Sequence, residues 1–146
     1  MEKINIYLAA KYSRRKEMEN YAKILSVKGY NITSTWVYGE EEGKSSRDIA
    51  ILDYMDLRKA NVCICFNEPY GSENIAGARH TEFGFAWLFK KHIILVGERE
   101  QIFHYLPKND EEYVEKNISI DFKKRDEIDL VKSFEDVFPL LENLYK

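Results

Sequence analysis

Two hydrophobic periodicities alternate along this chain. Short, nearly continuous apolar runs are typical of buried strands, and between them apolar residues recur at spacings of three and four, which is typical of amphipathic helices. The most continuous run lies at 61–67, which predicts a strand in the middle of a sheet. The predicted strands cover residues 4–10, 30–36, 61–67, 92–97 and 118–122.

Helices are predicted between these strands. Ser13 is expected to cap the first helix and Ser45 or Ser46 the second, while Gly29 ends the first. The predicted helices cover 14–28, 46–60, 79–90, a short segment at 99–106, and a closing helix at 129–145. Alternating strands and helices predict an α/β fold with a parallel sheet and right-handed crossovers. Five strands in one domain (1–146) favour a flavodoxin-like three-layer sandwich with strand order 2-1-3-4-5.

Composition and charge narrow the class of protein. The chain has 146 residues, of which 45% are hydrophobic and 32% charged, a composition that argues against disorder, collagen and coiled coil. The net charge of −3 provides no basic field for a nucleic-acid polymer. No apolar stretch approaches the roughly 18 residues of a membrane span. Cys63 and Cys65 are interpreted as reduced core residues, and a cytoplasmic location is expected.

In a sheet of this order, ligands bind at the carboxyl ends of strands 1 and 3, where the strand order reverses. The segment after strand 1 contains Ser13, Arg14 and Arg15 at the start of a helix. A helix N-terminus with a hydroxyl and two cations suits an anion, most simply a phosphate. The alternative is an N-cap followed by two solvated arginines.

The segment after strand 3 leads to Glu82, which is expected in the first turn of the helix at 79–90. There the helix dipole favours an ionised carboxylate, which in a cleft can attack a sugar carbon. The alternative is that Glu82 only complements the dipole. Asp53 could reach the same cleft from the second helix, whereas Asp56 is assigned to solvent. If Tyr7 is buried, its hydroxyl needs a partner, and a cleft carboxylate would supply one.

The histidines and several absent motifs complete the candidate chemistry. His80 is close enough to Glu82 to contact a substrate, although two residues apart on a helix they do not share a face; His92 and His104 are interpreted as structural. The chain has no GxxxxGK[ST] loop, GxGxxG fingerprint, HExxH helix or Ser-His-Asp order. These absences count against phosphoryl transfer and NAD-dependent hydride transfer.

Three segments together resemble a known family. They are Ile6-Tyr7-Leu8-Ala9, an Asp53 nine residues before Val62, and a Gly77 followed by Glu82-Phe83-Gly84-Phe85-Ala86, with Lys91 and the apolar run 93–96 after it. In these segments the chain resembles the nucleoside 2-deoxyribosyltransferase superfamily, which includes deoxynucleoside 5′-monophosphate N-glycosidases. The resemblance covers roughly residues 4–107.

The resemblance implies a five-stranded parallel sheet and cleavage of the bond between a (deoxy)ribose and its base. It implies that Glu82 is the nucleophile that forms a glycosyl-enzyme intermediate, that Asp53 protonates or positions the leaving base, and that Tyr7 orients Glu82. It implies no metal or organic cofactor. It also implies a homo-oligomer, because a neighbouring subunit usually completes the site in this family.

The chain departs from the family pattern at several positions. Ala10-Lys11 stand where the family often has Gly-Pro, and Asn61 stands where Asp is common. Arg79 and His80 are expected to set the preference for the base or the acceptor. The full set of expected substrate-binding residues is Ala9, Lys11, Ser13, Arg14, Arg15, Gly77, Arg79 and His80.

Several functional alternatives remain open at the level of sequence. The glycosyl-enzyme could pass its sugar to a second base or to water. A glycohydrolase acting on NAD or an ADP-ribose derivative is an alternative, and so is a nucleotide-binding module without turnover. In each case the expected partner is a small nucleoside or nucleotide, and neither a nucleic-acid polymer nor a membrane.

Overall fold

A computed structural model of the chain, which describes residues 3–70, 77–108 and 127–144, contains one five-stranded sheet with helices around it. All strands are parallel and their order is β2-β1-β3-β4-β5, so the fold class predicted from the sequence is confirmed. The strands are β1 (Asn5–Ala9), β2 (Asn31–Ile32), β3 (Val62–Phe66), β4 (His92–Val96) and β5 (Asp129–Val131). The helices are α1 (Arg15–Val27), α2 (Ser46–Lys59), α3 (Ala78–Leu88) and α4 (Val137–Leu144).

The strand β3 lies at the centre of the sheet, as its unbroken apolar run predicted. All five of its residues are buried, because helices cover both faces of a parallel sheet. The register places Ile64 between Leu8 of β1 and Ile94 of β4. Cys63 and Cys65 are free, buried thiols on this strand, as expected.

The strand β2 is much shorter than the predicted strand at 30–36. It ends at Ile32, and a 3₁₀ turn over Thr35–Tyr38 follows. The reason is that side chains replace the ladder bonds: the backbone N–H of Leu8 donates to Ser34 Oγ, and Trp36 Nε1 donates to the Leu8 carbonyl. With both backbone groups of Leu8 satisfied, the chain leaves the sheet without an unpaired polar group.

The prediction of a closing helix at 129–145 is wrong for the first half of that segment. Residues Asp129–Val131 form β5, which pairs with β4, and α4 begins only at Val137 after a 3₁₀ turn over Phe134–Asp136. Pro139 therefore lies in the first turn of α4, where its missing N–H leaves no helical bond unmade. The predicted strand at 118–122 lies outside the described residues.

Two polar positions in the helices differ from the sequence-based expectation. Ser13 does not cap α1; it lies within a 3₁₀ turn over Tyr12–Arg14 that precedes the helix. Asp56 is buried rather than exposed to solvent, because it accepts hydrogen bonds from the backbone N and the Oγ1 of Thr35, at 3.2 and 2.6 Å. The predicted cap of α2 is confirmed, since Ser45 Oγ accepts from the N–H of Asp48.

The interpretation of two histidines as structural is confirmed by their contacts. His92 Nε2 lies 2.9 Å from Asp129, which joins β4 to β5. His104 is buried, packs edge-on against Phe83 and accepts from the N–H of Glu100. Within the described part of the chain, no helix is long and apolar enough to cross a membrane.

Candidate active site

A cavity of about 420 Å³ lies beside the carboxyl end of β1, within the range of about 300–1,000 Å³ typical of ligand sites. The segment after β1 forms one side of it, and residues of α2 and α3 form the others. This is where the strand order reverses between β1 and β3, as the topology predicts. Its lining residues are Ala10, Lys11, Tyr12, Ser13, Trp36, Glu41, Asp53, Gly77, Ala78, Arg79 and Glu82.

Tyr7 and Glu82 are joined by a hydrogen bond behind the cavity surface. The side chain of Tyr7 is fully buried on β1, and its hydroxyl donates to Glu82 Oε2. Burial and the neighbouring Glu82 carboxylate both raise the pKa of Tyr7, so the phenol stays protonated and remains a donor. This bond fixes the carboxyl group of Glu82 where it meets the cavity.

Glu82 lies in the second turn of α3, not in its first turn. The helix begins at Ala78, so Glu82 is its fifth residue and receives little of the dipole field that the sequence analysis invoked. Burial raises the pKa of Glu82 to about 8, while the hydrogen bond from Tyr7 acts in the opposite direction. Tyr7, and not the helix dipole, is therefore the contact that favours the ionised carboxylate.

Asp53 lines the same cavity from α2, and it has a neighbour that the sequence pattern does not indicate. Glu41 lies in the loop before α2, lines the cavity, and interacts with the carboxyl group of Asp53. Burial, followed by this interaction with Glu41 and by its charge, raises the pKa of Asp53 to about 9. Three successive glutamates occupy 40–42, and nothing in their spacing singles out the middle one.

Two aromatic side chains of the cavity were also missed. The rings of Tyr12 and Trp36 have centroids 6.3 Å apart and are tilted by 34°. Trp36 is held by its bond to the Leu8 carbonyl, whereas Tyr12 is more than half exposed. The expectation that Trp36 belongs to a strand concealed this role, because only the 3₁₀ turn brings its ring to the cavity.

Cations occupy another part of the cavity lining. Arg79 is buried, and its Nε and Nη2 donate to the two carboxylate oxygens of Glu100 at 3.2 and 2.9 Å. Gly77 has φ +143°, a backbone conformation that favours glycine, and a Cβ there would lie 2.7 Å from Arg79 Nη1, so a side chain at this position would displace the guanidinium. The ammonium group of Lys11 lies 3.5 Å from the Glu68 carboxylate. Two oriented cations thus line the same space as three carboxyl groups.

Four of the expected substrate-binding residues do not line the cavity. Arg14 is held by Glu17 and Glu68, and Arg15 donates to the Val37 carbonyl. His80 pairs with the side chain of Gln101, and Ala9 is buried within β1. The expected residues that do meet at the cavity are Lys11, Ser13, Gly77, Arg79, Asp53 and Glu82, with Tyr7 directly behind.

Among the described residues, the site offers no arrangement suited to a metal ion. Across residues 3–70, 77–108 and 127–144, no group of three or more histidine, cysteine, aspartate or glutamate side chains could hold one. What the described side chains can do is acid–base and nucleophilic chemistry: an oriented carboxyl group, a second carboxyl group that retains its proton, and cations that suit an anionic substrate group.

Comparison by sequence finds no family model and no curated protein that matches the chain. Comparison by structure does find matches. A CMP N-glycosidase, BcmB, of Clostridium botulinum superimposes with a TM-score of 0.55 at 18% identity, over 94% of this chain and 98% of the other. A 2-deoxyribosyltransferase of Bacillus psychrosaccharolyticus gives a TM-score of 0.58 at 14% identity, over 94% and 95%. A conserved protein of Enterococcus faecalis gives 0.58 at 13% identity, over 97% and 98%.

These likenesses extend over nearly the whole of each chain, and at such low identity they concern the fold. The resemblance stated from the sequence rested on three short segments within residues 4–107. The structural matches include a CMP N-glycosidase and a 2-deoxyribosyltransferase, the two kinds of enzyme that the resemblance named. The chain therefore has the same fold as this CMP N-glycosidase and this 2-deoxyribosyltransferase.

Proposed function

We propose that this protein cleaves the N-glycosidic bond of a nucleoside 5′-monophosphate or nucleoside, with Glu82 as the nucleophile. The observation that carries the proposal is that Glu82, oriented by Tyr7, and Asp53, whose carboxyl group retains its proton, line one cavity. A nucleophilic carboxylate and a protonated carboxyl group are the two groups that retaining glycoside cleavage requires. The named activities of the structural matches support the same chemistry.

The reaction follows from these positions. The ionised carboxylate of Glu82 attacks the anomeric carbon C1′, and the C1′–N bond breaks as the oxocarbenium-like transition state passes to a glycosyl ester. The bonding electron pair leaves with the base, which takes a proton from Asp53. Tyr7 holds the attacking oxygen in place and lowers the cost of keeping it ionised in a buried site. Tyr12 and Trp36 offer ring surfaces on which the base can rest.

The cations support a phosphorylated substrate. Arg79 precedes Glu82 by three residues on α3, so the two side chains share a helix face about one turn apart. Lys11 and the hydroxyl of Ser13 line the same cavity from the segment after β1. A sugar with its C1′ at Glu82 can therefore direct a 5′-phosphate towards these groups, with guanidinium and ammonium groups supplying charge-assisted hydrogen bonds. Arg14 and Arg15, which the sequence suggested for this role, are turned to other partners.

The fate of the glycosyl ester decides between hydrolysis and transfer. The purified protein is incubated with nucleosides, 5′-monophosphates and NAD, each with and without a second free base, and the products are separated by chromatography. Free base released from a monophosphate without an acceptor indicates an N-glycosidase, and a new nucleoside formed only with an acceptor indicates a transferase. Release of nicotinamide would favour the NAD glycohydrolase instead, and binding without turnover would favour a binding module.

The nucleophile is tested by Glu82→Gln, with Glu42→Gln as the matched control. Glu42 is exposed in the same stretch of glutamates as Glu41 and does not line the cavity. We expect Glu82→Gln to fold normally and to lose base release by at least about 10³-fold, because the amide cannot form the glycosyl ester. Turnover near that of the wild type in Glu82→Gln would disprove the assignment.

A further inference from the structure

Glu41 owes its place in the cavity to the loop between the 3₁₀ turn and α2. Gly39 ends the turn with φ +84°, a left-handed conformation that reverses the chain direction. The guanidinium of Arg15 holds the 3₁₀ turn from which this loop starts, since its Nη1 donates to the Val37 carbonyl at 2.8 Å. The chain then brings Glu41, half-buried, against Asp53 of α2, whereas its neighbours Glu40 and Glu42 are exposed.

One oxygen on each of these two carboxyl groups lacks a conventional partner. Glu41 Oε1 and Asp53 Oδ1 are both buried, and neither meets a hydrogen-bond donor among the described residues. Leaving a buried polar atom unpaired costs about 1–3 kcal/mol, and two adjacent ionised carboxylates repel as well. A single proton between the groups removes both costs, as it does wherever two carboxyl groups share one site.

The other charged groups near the pair reinforce this state. Glu82 from α3 and Asp56 from α2 both add negative charge that raises the pKa of Asp53, and the protonated phenol of Tyr7 from β1 adds none. The cations of the cavity lie with carboxylates of their own: Lys11 with Glu68, and Arg79 with Glu100. Among the described groups, protonation is therefore the available way to neutralise the pair.

We propose that Glu41 is a positioning residue that shares one proton with Asp53, so that the pair begins the reaction with one negative charge and Asp53 delivers the proton to the departing base. This inference rests on the proposed function and adds a residue that neither the sequence nor the likeness to known structures indicated. As the C1′–N bond breaks, its electron pair stays on the base nitrogen and the shared proton moves to the base. The pair is left doubly negative. When an acceptor attacks the glycosyl ester, its proton returns to the pair; the acceptor is water in hydrolysis and the N–H of a second base in transfer.

The first test is the pH profile of base release in the wild type, Glu41→Gln and the control Glu42→Gln, measured between pH 6 and 10. The amide of Glu41→Gln donates to Asp53 and stabilises its carboxylate, so the proton is lost at lower pH. We expect the alkaline limb of kcat to move towards acid by more than about 1 pH unit, with no movement in the control. An alkaline limb at the same pH in Glu41→Gln and the wild type would overturn the inference.

The second test changes the leaving group. A 4-nitrophenyl riboside 5-phosphate releases a stable anion and needs no proton, whereas a nucleobase does. At pH 8.5 we expect Glu41→Gln to reduce base release by at least about 10-fold, which is part of the roughly 10²–10⁴-fold that a general acid contributes. We expect the same variant to change nitrophenolate release by less than about twofold, because this leaving group needs no proton. Equal losses on both substrates would show that Glu41 acts on folding or binding, and would also overturn the inference.

The two proposals fail in distinguishable ways. If the wild type releases no base and transfers none, the proposed function is wrong. If the wild type turns over and depends on Glu82, but Glu41→Gln is unchanged, only this inference is wrong. Should Glu41→Gln not fold, ¹³C NMR titration of the carboxyl groups in the wild type gives the answer. Asp53 is expected to titrate far above the ordinary range of a carboxyl group, and titration of Asp53 below pH 6 would overturn the inference.

Discussion

The hydroxyl group of Tyr7 donates a hydrogen bond to Oε2 of Glu82, which joins the first strand of the sheet to the third helix across 75 residues of sequence. Tyr7 is fully buried and its ring is fixed by the core, so the donor cannot move away. Glu82, by contrast, lines the cavity. The rigid core thus sets the orientation of the group to which we assign the attack on C1′.

Replacing Tyr7 tests this orientation. We expect Tyr7→Phe to reduce kcat by about 10- to 100-fold with little change in KM, because a hydrogen bond to a charged group is worth about 1.5–3 kcal/mol. The acid limb of the pH profile should also move to higher pH, since the hydrogen bond from Tyr7 lowers the pKa of Glu82 and its removal raises that pKa. Steady-state kinetics measure both effects. Tyr21→Phe, which removes a hydroxyl paired with Glu17 away from the cavity, is the control, and an unchanged kcat in Tyr7→Phe would contradict the role.

The wild-type enzyme is expected to work best on the alkaline side of neutrality. Glu82 must be ionised to attack, so the rate rises as pH passes its pKa of about 8. Asp53 must be protonated to assist the leaving base, so the rate falls as pH passes its pKa of about 9. We predict a narrow bell-shaped profile of kcat/KM with its maximum between these values, in which the two limbs belong to the interacting carboxyl groups together. A maximum below pH 6 would show that the reaction does not depend on ionised Glu82 together with protonated Asp53.

Glu82 should also make folding less stable as pH rises. The pKa of Glu82 in the folded protein is about 8, above its ordinary value of 4.5. The stability that the protonated group contributes is therefore fully present below pH 4.5 and is lost as pH rises from 4.5 to about 8. Glu82→Gln removes this ionisable group while its amide oxygen still accepts from Tyr7. We expect no gain at pH 4 and a gain of about 2–4 kcal/mol in the free energy of unfolding at pH 9, since one pKa unit corresponds to about 1.4 kcal/mol.

Denaturant unfolding at the two pH values measures this difference. The exposed Glu42→Gln is again the control, and it should show the same stability as the wild type at both. A Glu82→Gln protein that is less stable than the wild type at pH 9 would mean that the carboxylate stabilises the fold, contrary to the cost expected from its burial.

The proposed function assigns binding of the 5′-phosphate to Lys11 and not to Arg14. Lys11 lines the cavity, whereas Arg14 is held by Glu17 and Glu68. We expect Lys11→Ala to raise KM for 5′-monophosphates by about 10-fold, the loss of one charge-assisted hydrogen bond, and to leave KM for nucleosides nearly unchanged. Kinetics on a nucleoside and its monophosphate give both values, with the exposed Lys16→Ala as the control. A larger effect from Arg14→Ala than from Lys11→Ala would place the phosphate at the start of α1 instead.

The local pattern of the sequence was sufficient for the frame of the molecule. Apolar runs at β1, β3 and β4 are long and continuous, and no alternative structure buries them as well, so these strands and the helices between them were predicted at nearly their observed positions. The short strands β2 and β5 were not predicted at their observed positions. Their boundaries depend on hydrogen-bond partners from distant parts of the chain, such as the side chains of Ser34 and Trp36, which bond to the backbone of Leu8.

The same division holds for the site. The sequence by itself predicted that Tyr7 on β1, Asp53 on the helix before β3 and Glu82 on the helix after β3 lie near one another, because β1 and β3 are neighbours in the strand order that it favoured. Only the tertiary structure decided which charges face the cavity. Arg14 and Arg15 turn to other partners, Asp56 is buried against Thr35, and Glu41 reaches Asp53 from a loop. The physical reason is that strand position is a local property, whereas the direction and protonation of a polar side chain depend on partners distant in the chain.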